Sequence, residues 1–285
     1  MSSQKNYLLL LIVFMLTLAC TPSVYAMKWE DEDTPISFKI EMLPWEEVNK
    51  LIPNKTKFTI IDVETGQRFN VQRRAGSQHA DVQPLTRKDT RIMKEIYHNQ
   101  WSWKRRAIVI VIKDQVIAAS MHGMPHGAGA LDNGFSGHFC VHFSGSITHR
   151  LRNEDLAHKL MILKAAGKLD DYAATVSPSE LIDMFAVAVN QGDSKILAQT
   201  VSNAHRMKYL NRIVKDITYL NLSKERREGQ DELLLIDIPA RVAMYTEDRG
   251  KIKDTIHFII RRESVTDRWF IDQDALYQEL ASILG

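Results

Sequence analysis

Histidines crowd into one part of the chain, next to a cysteine. Seven of the ten histidines lie between His79 and His149. The segment "SMHGMPHGAGALDNGFSGHFCVH" places four of them around Cys140. Imidazole titrates near neutral pH and can act as a base or as a metal ligand. A thiol becomes a nucleophile when a neighbouring base or cation favours its thiolate. The segment therefore predicts either nucleophilic or metal chemistry.

A cysteine–histidine enzyme is the first interpretation. Cys140 is the predicted nucleophile and His122, at the end of a predicted strand, is its base, with His126 as the alternative base. If residues 138–142 are extended, His138, Cys140 and His142 lie on one face of the strand. The glycine-rich loop before them would let backbone N–H groups approach a substrate carbonyl and form an oxyanion hole.

A metal site and a binding pocket are the alternatives. "HAD" places His79 and Asp81 two residues apart, a donor pair that suits zinc. The remaining ligands would come from later histidines: His126, His138, His142 or His149. In the third interpretation the same residues line a pocket that binds without catalysis. No cofactor is expected for the thiol enzyme, and zinc is expected for the metal site.

Polar residues near Cys140 are predicted to contact a substrate. They are Ser136, Gly137, His142, Ser146 and His149. For Ser146 the alternative is a polar turn that closes the core. "WSW", Trp101 to Trp103, could stack on sugar rings, but the pattern favours a half-buried turn.

Hydrophobic periodicity predicts an α+β fold in two domains. The first, residues 27–170, is β-rich and carries the Cys/His site. Its predicted strands are 58–63, 68–71, 106–112, 115–120 and 138–143, and its first helix is capped by Thr86 and Asp89. The second, residues 171–285, begins with helices 179–193 and 194–201. Strands at 213–222, 233–247, 255–263 and 268–273 follow them.

The N-terminal residues 1–26 read as an export signal. Lys5 precedes the apolar run Tyr7 to Ala19, and "VYA" supplies small residues before Met27. "LTLAC" offers the alternative of a lipoprotein signal that ends before an acylated Cys20. Either signal predicts an exported protein at the outer face of the membrane or in the cell wall. The net charge of +2 argues against nucleic acid as a partner.

The spacing from a histidine through a glycine-rich gap to "GHFC" resembles L,D-transpeptidases of the YkuD type. Carried over, the resemblance makes Cys140 the nucleophile, His122 the base and His138 a helper near the oxyanion hole. It implies acyl transfer or hydrolysis on peptidoglycan stem peptides. A zinc-dependent wall peptidase and a wall- or ligand-binding module without catalysis remain the alternatives.

Two further resemblances concern the setting of the protein. "HADVxPLT", "WSW", "MPHG" and "CxHFxxSxTH" together resemble a family of exported proteins of Gram-positive bacteria. That family implies the cell envelope and peptidoglycan as a partner, but fixes no reaction. The C-terminal half, two helices followed by a meander ending in "DRWFID", resembles NTF2-like domains. Their curved antiparallel sheets bind small ligands or form homodimers.

Overall fold

Six strands of the first half of the chain close into an antiparallel barrel. The computed structural model describes residues 39–147, 154–202, 207–224 and 232–285. The barrel strands are β2 (Lys57–Asp62), β3 (Arg68–Ala75), β4 (Ala80–Pro84), β5 (Arg105–Ile112), β6 (Gln115–His122) and β7 (Phe139–His142). Their order is β6-β5-β2-β3-β4-β7, and β7 pairs back onto β6 to close the ring. The short β1 (Ile40–Glu41) pairs in parallel with the start of β6.

Side chains point alternately into and out of the barrel along each strand, and the inward ones form an apolar interior. Side chains such as Ile60, Val71 and Ile117 are fully buried inside the barrel. Successive residues of a strand point to opposite faces, so their neighbours in sequence point outward. Two helices accompany the barrel: α1 (Trp45–Leu51) and α2 (Arg87–Ile96). The predicted capping of α2 is confirmed, because Thr86 and Asp89 form a reciprocal capping box.

A second, four-stranded sheet forms most of the C-terminal half. Its strands are β8 (Ile217–Lys224), β9 (Leu235–Thr246), β10 (Gly250–Arg261) and β11 (Phe270–Ile271), in the antiparallel order β11-β10-β9-β8. Strict alternation along β9 buries one face of this curled sheet. The ring of Phe185, from a helix, lies 5.6 Å from that of Phe258 on β10.

The remaining helices lie between and around the two sheets. They are α3 (Leu156–Ala165), α4 (Leu169–Ala173), α5 (Pro178–Gln191), α6 (Ser194–Thr200), α7 (Met207–Lys215) and α8 (Gln273–Leu284). Helix α3 packs on the outer face of β5 and β6, where Val109 and Ala118 share an apolar cluster with α3 and α5. This helix therefore also covers the polar residues at the ends of those strands.

The structure confirms the α+β class and most predicted elements, and it differs from the prediction at several others. Strand β4 was not predicted, because its sequence contains Asp81, Gln83 and Pro84, and Asp and Pro are uncommon in strands. Residues 213–215, predicted as strand, belong to α7, so β8 begins only at Ile217. Helix α8 was not predicted either.

The domain boundary near residue 170 stays a prediction, and the export signal, with Cys20, lies outside the described residues. Within the described ranges, no helix is long and apolar enough to cross a bilayer.

Candidate metal and thiol site

Strand register brings the chemistry-bearing side chains together on the outer face of the barrel. Residues directly opposite each other in antiparallel strands share a face. Three such cross-strand pairs line up from β4 to β5: Asp81 with Cys140, His142 with Ser120, and His122 with Arg105. Cys140 and His142 lie on one face of β7, as predicted, while Phe139 and Val141 fill the interior. The barrel thus positions a polar row from strands that are distant in sequence.

The glycine-rich loop between β6 and β7 adds two more histidines. His126 and His138 form a backbone bridge, each N–H donating to the other's carbonyl at 3.0 and 2.8 Å. Gly137 adopts a φ of +107°, and a Cβ there would lie 2.3 Å from the His126 carbonyl oxygen. Only glycine permits this close approach. The loop therefore places both imidazoles over Cys140 and Asp81.

Helix α3 and a tryptophan enclose the cluster. His158 of α3 shares a hydrogen bond of 3.0 Å with the Ser120 hydroxyl, and its ring stacks on His142 at 3.7 Å. On the other side, the Trp103 ring lies 4.7 Å from that of His122. Trp103 is 50% exposed, so this side of the cluster borders solvent.

Cys140 lies between a base and an acid. Its sulfur is 3.4 Å from Nε2 of His126 and 3.7 Å from Oδ1 of Asp81. The side chain is only 4% exposed. Burial, and then the Asp81 carboxylate, raise the pKa of the Cys140 thiol far above its ordinary value. A thiolate at this position therefore needs a nearby cation.

Two histidines direct Nε2 at the same carboxylate oxygen. Nδ1 of His79 lies 3.0 Å from the Ile147 carbonyl, and Nδ1 of His138 lies 3.0 Å from the Ala128 carbonyl. A carbonyl only accepts, so both Nδ1 atoms carry hydrogen. Nε2 of each ring then faces Oδ1 of Asp81, at 3.2 Å from His79 and 3.7 Å from His138. Two imidazole lone pairs and a carboxylate repel one another unless a cation, either a proton or a metal ion, lies among them.

Nδ1 of His126 also donates to a backbone carbonyl, whereas Nδ1 of His122 accepts a hydrogen bond. Nδ1 of His126 donates to the Met124 carbonyl at 3.1 Å, which leaves its Nε2 for the sulfur. In contrast, the Met124 N–H donates to Nδ1 of His122 at 3.3 Å. Burial, followed by the charges of His126 and Arg105, lowers the pKa of His122 to about 3, so this ring is neutral at physiological pH.

The potential ligand atoms fall into two groups that share Cys140. In one, the atoms of His79, Cys140 and His142 lie within 4.8 Å of one another, and Asp81 adjoins them through the contacts above. We call these four residues the inner donor group. In the other, the atoms of His122, His126 and Cys140 lie within 4.8 Å of one another. These three residues are the outer donor group.

Some of the predicted site residues lie in the cluster and others do not. His122, His126, His138, Cys140 and the pair His79/Asp81 converge in one cluster, and the nitrogen in contact with the sulfur belongs to His126, the alternative base. Ser146 accepts a hydrogen bond from the Phe143 N–H at 2.9 Å and closes a turn. Ser136 is exposed. His149 lies outside the described residues.

Sequence reasoning missed four residues of the cluster. His158, Ser120 and Arg105 reach it only through strand pairing and the packing of α3. Trp103 was assigned to a turn, although its ring covers His122 and His126. Its position just before β5, which pairs with the strand ending at His122, is the one signal that could have indicated this contact.

Comparisons of the chain with protein-family models, with curated proteins and with solved structures find no match. The function therefore has to be inferred from the geometry of the cluster itself.

Proposed function

We propose that the protein is a metal-dependent hydrolase whose metal ion is bound by the inner donor group. One observation carries the proposal. His79, a member of this group, holds its Nδ1 proton on the Ile147 carbonyl and directs Nε2 at the Asp81 carboxylate. Histidine ligands of metal ions show this arrangement, in which the second nitrogen donates to a carbonyl and fixes the ring.

Separations within the inner donor group fit a transition metal such as zinc. Zinc lies about 2.3 Å from sulfur and about 2.0–2.1 Å from nitrogen or oxygen, with tetrahedral angles, so its ligand atoms are about 3.3–3.6 Å apart. The sulfur of Cys140 is 3.7 Å from Oδ1 of Asp81, which is 3.2 Å from Nε2 of His79. Only small adjustments would bring these atoms onto one ion.

Charge supports the same assignment. A bound metal deprotonates a coordinating thiol, which removes the conflict between Cys140 and the adjacent carboxylate. One thiolate and one carboxylate then balance the charge of a divalent cation in a buried site. An ion held by these residues would supply Lewis-acid polarisation of a substrate carbonyl. His138, whose side chain is 16% exposed, is placed to meet a substrate at the edge of the inner donor group.

The setting and substrate come from the sequence. The export signal and the "HADVxPLT" to "CxHFxxSxTH" resemblance support a location at the outer face of the membrane or in the wall, with peptidoglycan as the partner. Combined with the proposed metal centre, they favour hydrolysis of peptide bonds in peptidoglycan stem peptides. We further propose that residues 171–285 form an NTF2-like unit that supports the catalytic barrel and forms a homodimer. The alternating burial of β9 and the curled sheet support this assignment.

Metal analysis of the purified full chain tests the proposal. Zinc or another transition metal is expected to co-purify, and a chelator is expected to abolish hydrolysis of stem peptides until metal is restored. His79→Ala should lose the metal. His257→Gln is the matched control, because His257 is an exposed histidine on the second sheet and should keep the full metal content. A chain that binds no metal, from the cell or after zinc addition, would overturn the proposal.

A thiol enzyme is the second candidate, and one contact favours it. Nε2 of His126 lies 3.4 Å from the Cys140 sulfur, and its ring is oriented by the Met124 carbonyl. In this mechanism His126 takes the thiol proton as the thiolate attacks the scissile carbonyl, and returns it to the leaving amine. Burial and Asp81 both work against this thiolate, which is why the candidate ranks second.

The same preparation separates the two candidates. If Cys140 acts as a nucleophile, chelated protein keeps its activity, and iodoacetamide removes the activity together with labelling of Cys140. If the inner donor group binds metal, chelation removes activity first, and Cys140 becomes open to alkylation only after the metal has left.

A further inference from the structure

The outer donor group contains two histidines that the ion proposed for the inner donor group does not bind. Its atoms, from His122, His126 and Cys140, lie within 4.8 Å of one another, and Nε2 of His126 is 3.4 Å from the sulfur. Cys140 is the residue that the two groups share. We propose that its thiolate bridges two metal ions, one in each donor group, an inference that rests on the proposed metal centre.

A bridging thiolate is chemically suited to this place. Sulfur in a deprotonated cysteine has several lone pairs and can bind two soft or borderline cations at once. Paired metal ions in enzymes lie about 3.5–4 Å apart, a separation that two bonds of about 2.3 Å to one sulfur allow. Cys140 is central in the row of outward side chains, since its cross-strand partner is Asp81 and its neighbour on the same face is His142.

The two positions differ in how completely the protein surrounds them. The inner donor group offers four ligands, so an ion there that also polarises a substrate carbonyl would be five-coordinate. The outer donor group offers three, which leaves one coordination position for a water or a substrate atom, as in catalytic zinc sites. It also borders the half-exposed ring of Trp103, which lies 5.3 Å from His126. The outer position therefore also lies within reach of a substrate.

The outer position is also the weaker of the two. The Met124 N–H donates to Nδ1 of His122 at 3.3 Å, and this hydrogen bond would be lost if that nitrogen bound the ion. The guanidinium of Arg105, whose strand position is opposite His122, adds positive charge nearby. The outer group contributes only the shared thiolate as an anion. We therefore expect two binding steps, with the inner ion bound more tightly.

Metal stoichiometry against buffered free zinc tests the inference. The wild-type full chain is expected to bind one ion at low free zinc and a second at higher free zinc. His126→Ala should keep the first binding step and should bind the second ion at least tenfold more weakly than the wild type does. Cys140→Ser should weaken both steps. His257→Gln should change neither, and circular dichroism of each variant checks that it is folded.

Cobalt gives a readout that a chance surface site would not produce. Both additions of Co²⁺ should increase the thiolate-to-cobalt absorption band, because both ions contact the Cys140 sulfur. A saturating stoichiometry of one ion, or a second ion that His126→Ala leaves in place, overturns the inference while the proposed metal centre stands. Absence of any bound ion overturns the proposed function itself, and the bridging thiolate with it.

Discussion

Helices bury one face of each sheet. On the second sheet that face is apolar, whereas on the barrel α3 covers both apolar residues of β5 and β6 and a polar cluster. On the second sheet the residues facing the helices are apolar: Ile236, Ile238, Ala240, Val242 and Met244. On the outer face of the barrel, α3 and the loop before β7 cover a carboxylate, a thiol and several imidazoles. Apolar burial stabilises a fold by about 25 cal/mol for each Å² removed from water. Burying polar groups costs free energy unless each finds a partner.

The difference indicates where the chain has been shaped for chemistry. Either sheet could have been covered with leucine and valine, as the second sheet is. The barrel instead keeps Asp81, Cys140 and His142 at positions that apolar side chains of similar size could fill. Such a cluster is expected to contribute little to stability without its ligand, and the apolar face is expected to contribute most. The following predictions test this division, from the largest effect to the smallest.

Truncating an aromatic side chain on the apolar face should have the largest effect. Phe258 is fully buried and its ring packs against Phe185. Phe258→Ala removes apolar contacts and leaves a cavity, so the free energy of unfolding should fall by about 3–5 kcal/mol. Urea unfolding measures it, with and without zinc, and the loss should be the same in both.

An exposed aromatic residue of the same sheet is the control. Tyr219 is 51% exposed, and Tyr219→Ala should change the free energy of unfolding by less than about 0.5 kcal/mol. A Phe258→Ala loss below 1 kcal/mol would mean that the second sheet is not the main stabilising region.

The sequence predicted the apolar parts of this comparison better than the polar cluster. Alternation of buried and exposed residues along β2, β3 and β9 is a local signal, and so is the capping of α2 by Thr86. The pairing of β4 with β7 is not local. It places Asp81 opposite Cys140, and no periodicity within either segment specifies that register.

The roles of single histidines were the hardest part to predict. Clustering along the sequence indicated a site, but ring orientation depends on which carbonyl each Nδ1 meets. Those carbonyls belong to Met124, Ala128 and Ile147, all in turns and loops. His158 joins the cluster from another helix, because α3 packs across β6. Such contacts follow from the tertiary fold and leave no pattern in the residues near them.

Acid should destabilise the metal-free protein through its buried histidines. Burial, and then the neighbouring His142, hold the pKa of His158 well below the ordinary 6.5. Between these two values the unfolded chain binds a proton that the folded chain does not. Stability is therefore full above about pH 6.5 and falls below it, by at most about 1.4 kcal/mol per pH unit for each such histidine.

His158→Gln removes one of these groups and keeps a hydrogen-bonding side chain near Ser120. Urea unfolding of chelated protein between pH 7 and pH 4.5 should show a shallower decline for the variant than for the wild type. Equal slopes would show that His158 does not contribute to the acid sensitivity.

His257 on the second sheet should respond to pH in the opposite direction. Its Nδ1 lies 3.0 Å from Oδ2 of Asp237, and this hydrogen bond and charge raise its pKa above 6.5. The resulting stability is present below pH 6.5 and is lost as pH rises through the folded-state pKa. Both side chains are about half exposed, so solvent screens the pair and the effect on unfolding is small.

NMR titration detects the raised pKa directly: Asp237→Asn should lower the pKa of His257 and leave the metal content unchanged. An unchanged pKa would show that the pair does not form in solution. A pKa that falls together with metal content would show that the polar cluster and the apolar sheet are not separable, contrary to the division drawn above.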